Sequence, residues 1–250
     1  MNPILLIARK ESGEVLGSGR GLGWLTLLAA VLSVLSLLLV SDTELSLLDN
    51  AQVVYIVMGT ITALGGLLAV VLGSDAWAGE RERGSLIPLL LTPVEITDIV
   101  LGKMGAQGIA WGSAYLVALP YLWAVGSSGQ NLAQAVLYLG LFGTPLVLGF
   151  GFYALGLSVR LGSVRAALLA SLTTLLLAAS PLLLGPSLRQ SAVGKIFDAV
   201  NPFSAVLNTF DSVVVDSQPF TLQLGRLAVV VAWLVVAAWF GRASARSVKL

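Results

Sequence analysis

Residues 53–72 read VVYIVMGTITALGGLLAVVL, twenty residues without a single charge. At a helical rise of ~1.5 Å per residue such a run crosses the ~30 Å hydrocarbon core of a bilayer. The run is not isolated. The 250-residue chain is 57% hydrophobic and 11% charged, against about half and a quarter in ordinary soluble domains. Its mean hydropathy is +0.93. The apolar runs predict an all-α polytopic membrane protein with six transmembrane helices, over 22–40, 53–72, 104–125, 132–159, 164–184 and 224–240.

Local signals support several helix starts. Asp49 is followed three positions later by Gln52, and Asn131 by Gln134, while Ser163 precedes the fifth run. Pro145, Gly149, Gly151 and Gly156 predict a tilt or kink in the fourth. Three segments flank the spans of this single transmembrane domain. Residues 1–21 predict a helix in the membrane interface, with Ile4, Leu5, Ile7 and Ala8 beside Arg9, Lys10, Glu11 and Glu14. The glycines of GSGRGLG (17–23) then read as a flexible elbow. The first run is longer than a signal-peptide core and follows charges of both signs, so it reads as a retained span. Residues 185–223 predict an outer loop of short amphipathic helices, interrupted at Asn201-Pro202, resting on the membrane face or capping the bundle. Residues 73–103 form the remaining, charged loop.

Lys and Arg set the expected orientation. With the N-terminus inside, eleven fall on inner segments, and only Arg189, Lys195 and Arg226 fall outside. Both termini and the 73–103 loop are therefore expected in the cytoplasm, in the inner or plasma membrane of a prokaryote.

The composition narrows the chemistry. The chain has no Cys and no His, which excludes thiolate and imidazole metal ligands. No basic patch points to nucleic acid. No Asp, Glu, Lys or Arg lies in the interior of the spans as drawn, Arg165 and Arg226 standing at the starts of theirs, which disfavours an ion-coupled carrier and an intramembrane hydrolase. A Walker A motif is absent: Gly102-Lys103 is followed by Met104. The chain is expected to be non-catalytic and to bind no cofactor itself. Transport work would draw its energy from another polypeptide.

The 73–103 loop contains Glu80-Arg81-Glu82-Arg83, four alternating charges, then Gly84 and a leucine-rich piece with Leu86, Leu89, Leu90 and Leu91. Thr92-Pro93-Val94-Glu95 has the form of a capping box with Pro at the first helical position. A helix is expected to start there and run into the third span. Leucines beside charges of both signs describe a protein-docking surface. Elsewhere Thr60, Thr62, Ser171, Thr173 and Thr174 are candidates to line a substrate path, although hydroxyls in membrane helices commonly bond the backbone. Gly59, Gly65 and Gly66 read as helix-contact points.

GERERGSLIPLLLTPV (79–94) with IVLGK (99–103) resembles the signature loop of the ABC-2 type permeases. The matching positions are Glu80, Arg81, Glu82, Gly84, Leu86, Leu89, Leu90, Thr92, Pro93, Val94, Leu101, Gly102 and Lys103. Asn201-Pro202 with the stretch after it is similar to the branch containing the nitrous-oxide-reductase maturation permease. The sequence departs from the pattern in places: Ile87 stands where the family has an acid, Pro88 follows it, and Thr97 and Asp98 occupy the neighbourhood after Pro93-Val94 where the family often has a basic or aromatic residue. The resemblance implies a type V exporter-like fold in which the 73–103 loop is a coupling helix seated in a separate ABC ATPase. Its docking residues would be Glu80 to Gly84, Leu86, Leu89, Leu90, Thr92 and Pro93. ATP and Mg would belong to that ATPase, and a second permease subunit, identical or homologous, would complete the dimer. Membrane lipid and an extracytoplasmic protein are further expected partners. A non-transporting scaffold, with the outer helices around Phe203 and Phe210 as its platform, stays open beside this reading. So does a secondary carrier.

Overall fold

The computed structural model describes residues 2–17, 19–41, 49–126, 132–180 and 191–248. Every regular element among them is a helix. Helix α1 (Pro3–Gly17) precedes α2 (Gly19–Ser41), then come α3 (Asn50–Glu82), α4 (Leu86–Leu90) and α5 (Ile96–Gly126). The fourth expected span is composite: α6 (Leu132–Tyr138), a π turn (Leu139–Gly143) and α7 (Thr144–Leu161). Then follow α8 (Val164–Ala179), α9 (Ala192–Val200), α10 (Pro202–Phe210) and α11 (Leu224–Arg246).

Among the described residues, five helical segments are long and apolar enough to cross a membrane: Gly21–Leu39, Asn50–Glu82, Ile96–Gly126, Leu132–Leu161 and Phe220–Arg246. The expected span at 164–184 is represented by α8, 16 residues or ~24 Å of helix. Its remainder lies outside the described residues, as do the outer segment 42–48 and the Asn131 cap.

Two spans are longer than the sequence reading drew them. Helix α3 has 33 residues and α5 has 31, about 50 and 46 Å at the helical rise. Both outrun the ~30 Å core. The segment Glu80–Glu82, expected in a loop, is therefore the last turn of α3. Gly84 makes the break (φ +74°), a left-handed conformation that favours glycine. The expected capping box does not form. Helix α5 starts at Ile96, and the Thr92 hydroxyl donates instead to the Leu89 carbonyl at the end of α4 (2.6 Å). Glu95 supplies the first backbone acceptors of α5, for Asp98 and Ile99.

The glycine elbow is also corrected. Gly19, Gly21 and Gly23 are helical, so α2 follows α1 after only Ser18. At Gly21 a Cβ would collide with the Val15 carbonyl, so the run permits a tight crossing rather than a flexible joint. In α7 the expected irregularity falls just before Pro145. Proline lacks an N–H and crowds the carbonyl four residues back, and the π turn at Leu139–Gly143 absorbs this. The glycines of α7 serve as contact points: Gly149 faces the Leu234 backbone, Gly151 faces Gln107 and Gly156 faces Phe240.

Helices α3 and α7 are the inner pair, and α2 and α11 are peripheral. One apolar core runs through the membrane-depth region around Met58, Ile61, Phe142 and Phe210. A second lies toward the charged end, around Trp77, Leu86, Ile99, Val100 and Leu155. Lipid tails are as apolar as leucine, so close contact between small residues has to hold such a bundle together. Gly65 accordingly meets Trp111, Gly66 meets Leu175 and Gly59 meets Leu207.

In the outer segment Asn201-Pro202 interrupts the helix as expected, with α9 ending at Val200 and α10 starting at Pro202, and Asn201 caps the second helix. Asn201 Oδ1 accepts from the amides of Phe203 (2.8 Å) and Ser204 (3.4 Å), and its Nδ2 donates to the Ala178 carbonyl at the end of α8 (2.7 Å). Asn201→Ala is expected to cost about 1–2 kcal/mol, the usual worth of a helix cap, read as a lowered Tm in detergent. Helix α10 is almost wholly buried, Phe203 and Phe210 included. Those two rings are therefore not themselves free for an outer partner. Exposed apolar side chains stand instead on α9, at Val193, Ile196 and Val200, and after it at Leu222.

Candidate functional site

The alternating charges of the sequence are held by partners within the chain. Glu80 is only 8% exposed. Its Oε1 accepts from Lys103 Nζ (3.1 Å), and its other oxygen accepts from the Ser85 hydroxyl. Lys103 Nζ also donates to Glu11 Oε1 (2.7 Å), and the lysine side chain is just 3% exposed. One ammonium thus joins three helices: α1 through Glu11, α3 through Glu80 and α5 through Lys103 itself. Arg83 pairs with Asp75 two turns back on α3 (3.2 Å). Glu82 Oε1 accepts from the Val164 backbone N–H (2.9 Å), the first orphan donor of α8. Ser163, the expected cap, makes no side-chain cap bond. The Arg81 guanidinium lies against the turn at Gly162, itself left-handed at φ +65°.

Steric fit reinforces the junction. A Cβ on Gly102 would sit 2.6 Å from Ile7 Cβ, so α1 packs on α5 through this missing side chain. Leu5 and Leu6 of α1 face outward. A cavity of about 50 Å³ bounded by Glu11, Asp75, Arg83, Lys103 and Gln107 lies inside the junction. Apolar side chains such as Leu72, Met104 and Leu155 complete its wall, and it is large enough to hold water beside the charged groups.

A second node sits one to two turns before Glu80. Ser158 Oγ, from α7, donates to the Ser74 carbonyl (2.7 Å) and accepts from the amides of Ala78 (2.8 Å) and Trp77 (3.3 Å). A hydroxyl is thereby inserted into the backbone ladder of α3, one of the recognised causes of helix bending. Beside it, a Cβ on Gly73 would lie 2.6 Å from the Gly151 carbonyl and 2.8 Å from Ala154 Cβ. The α3 and α7 backbones approach closely here.

The leucine-rich piece divides in two. Leu86 is buried, and Leu89 and Leu90 pack partly against the second core. Ile87 and Leu91, by contrast, are 64% and 71% exposed. Pro88, Thr92 and Pro93 are exposed beside them. So the free apolar surface is Ile87 and Leu91 at the tip of the α3–α4–α5 hairpin. The exposed Ile87 stands where the sequence departs from the ABC-2 pattern.

The five path hydroxyls do not converge. Thr60, Thr62, Thr173 and Thr174 each donate to the carbonyl four residues back. Thr174 also meets the Tyr153 hydroxyl (3.1 Å), Ser171 is buried and Thr173 is exposed. A polar stripe that the sequence reading passed over runs along α5 instead. Lys103, Gln107, Trp111 and Tyr115 are spaced by four. Gln107 donates to the Ala69 carbonyl (3.0 Å), Trp111 to Thr144 Oγ1 (3.0 Å) and Tyr115 to the Val136 carbonyl. The i, i+4 spacing was the available signal.

A multi-pass bundle of apolar helices with an internally braced helical hairpin at one end defines an integral membrane protein. The sequence model for ABC-2 family transporter proteins matches residues 6–244. The chain belongs to that family, whose members are membrane subunits of transporters and normally work with an ABC ATPase subunit. No curated protein matches the chain.

Proposed function

We propose that this chain is the permease subunit of an ATP-driven exporter, or of a machine acting on a lipid or envelope component, and that it engages a separate ATPase through the hairpin tip. The observation that carries this reading is the exposed Ile87 and Leu91 on helices that outrun the bilayer, in a chain of the ABC-2 family. Apolar side chains held out on a rigid support are what a groove in a partner can bury. Ile87, Pro88, Leu91, Thr92 and Pro93 form the contact in this reading. Glu80, Glu82, Arg83 and Lys103 brace it, and Arg81 packs beside them. Two such chains, identical or homologous, would pair over two ATPase subunits carrying ATP and Mg. Closure of the ATPases would push the tip, and the Lys103 junction and the Ser158 node would pass that push to α3 and α7 as a rigid lever. In this reading, which the Lys and Arg distribution supports, the hairpin and both termini are cytoplasmic.

Reversing Arg81 and Glu82 would disturb the junction as well as any docking, so the clean test is at the tip. The chain is co-expressed with any ABC ATPase found in the neighbouring reading frames, and the purified complex is assayed. Ile87→Asp with Leu91→Asp is expected to weaken association about 100-fold, the loss of two anchors of at least ~1.4 kcal/mol each. Unchanged association and ATPase stimulation would sink the docking assignment.

The exposed face of α9, Val193, Ile196 and Val200, keeps a scaffold reading beside this one, with an extracytoplasmic protein as its partner. A cargo that stimulates ATP hydrolysis would rule that reading out.

A further inference from the structure

A groove of about 400 Å³ opens between α7, α8 and α11, closed at its outer end by Phe197 and Pro202. The volume falls within the ~300–1,000 Å³ of ligand sites. Its walls are almost wholly hydrocarbon, and the polar atoms set in them are already satisfied. Tyr153 and Thr174 bond each other, Asn201 Nδ2 bonds the Ala178 carbonyl, and Trp233 Nε1 bonds the Val200 carbonyl (2.7 Å). Leu177, Val236 and Trp239 stand exposed on the same walls, on helices of the membrane bundle.

The groove has a charged end. On α7 the stripe Leu146, Phe150, Tyr153 lines it. Seven residues beyond Tyr153, two turns along the same face, is Arg160. On α11 the stripe Trp233, Val236, Phe240 lines it, and Ser244 follows one turn later. Arg160 closes the two stripes together. Its guanidinium lies 4.7 Å from the Phe240 ring centroid, and its Nε donates to Ser244 Oγ (2.9 Å). Arg160 is exposed, and no carboxylate pairs with it among the described residues. An arginine in the last turn of a membrane helix, oriented by a ring and a hydroxyl, presents free N–H donors at headgroup depth.

We propose that this groove is a phospholipid site: an acyl chain lies along α7, α8 and α11, and the phosphate is held by Arg160. Charge complementarity at the Arg160 end selects this occupant over a neighbouring helix. With the N-terminus inside, it is a lipid of the cytoplasmic leaflet. The proposal rests on the membrane-spanning assignment and not on ATPase docking.

The test uses native mass spectrometry of the purified full chain, released from detergent with phosphatidylglycerol or with an uncharged diacylglycerol. Arg160→Gln is expected to lower phosphatidylglycerol retention about tenfold, the worth of one charge-assisted contact, and to leave diacylglycerol retention unchanged. Val236→Trp, at an exposed wall position, is expected to lower both by filling the groove. Equal phosphatidylglycerol retention by wild type and Arg160→Gln would overturn the proposal. A covalent dimer formed in membranes by Val236→Cys, in a chain without other cysteines, would also overturn it, because a second copy would then cover the groove.

Discussion

Lys103→Met is expected to destabilise the protein by about 3–5 kcal/mol, the usual cost of stranding buried charge by removing its partner. The ammonium is nearly inaccessible, and two carboxylates converge on it, Glu11 at 2.7 Å and Glu80 at 3.1 Å. Without Lys103 both acids remain close together in a poorly hydrated junction. A neutral junction carries no such burden. Combining Glu11→Gln, Glu80→Gln and Lys103→Met is expected to recover most of the loss, because the penalty comes from uncompensated charge. Heating the detergent-solubilised variants and following tryptophan fluorescence reads both effects. If the single variant melted with wild type, or the triple variant melted as low as the single one, the junction would not be the brace described here.

Gly73→Ala is expected to cost about 1–3 kcal/mol, and Gly73→Leu more, because a well-packed contact has no room for added carbons. The first new carbon would already lie 2.6 Å from the Gly151 carbonyl, and backbone cannot step aside as a flexible side chain can. Parting α3 from α7 would also pull Ser158 out of the α3 ladder. Gly112→Ala in α5 is the control. Nothing lies within 4 Å of its would-be Cβ, so it should be neutral or gain up to ~1 kcal/mol from helix propensity. Opposite signs at two helical glycines separate a packing role from propensity. The same sign at both would refute the α3–α7 contact.

Much of this protein is legible along the chain because a bilayer imposes a one-dimensional rule. A helix must bury its backbone polar groups in its own hydrogen bonds, so an uncharged run of twenty residues already names its structure. Residues 53–72 therefore read as a span, Pro145 announced an irregularity beside it, and Gly84 announced the break after the charges. The loop pattern from Glu80 to Lys103 pointed to the ABC-2 family.

The length of α3 was not legible. Charges at Glu80 to Arg83 look like the end of a helix when each is imagined in water. They continue the helix because Lys103, Ser85, Asp75 and the α8 N-terminus supply partners from elsewhere. Which leucines face out at the tip was equally hidden. Leu86 and Leu91 are the same residue type five positions apart, and only their placement against the second core buries one and exposes the other. Sequence alone determined that the chain crosses a membrane and that its charges gather at one end, since both follow from local transfer free energies. Tertiary structure alone decided that the charges brace helices, that Ile87 and Leu91 are the free surface, and that Arg160 closes an apolar groove. Each of those depends on which helix faces which across the bundle, and no local preference encodes that.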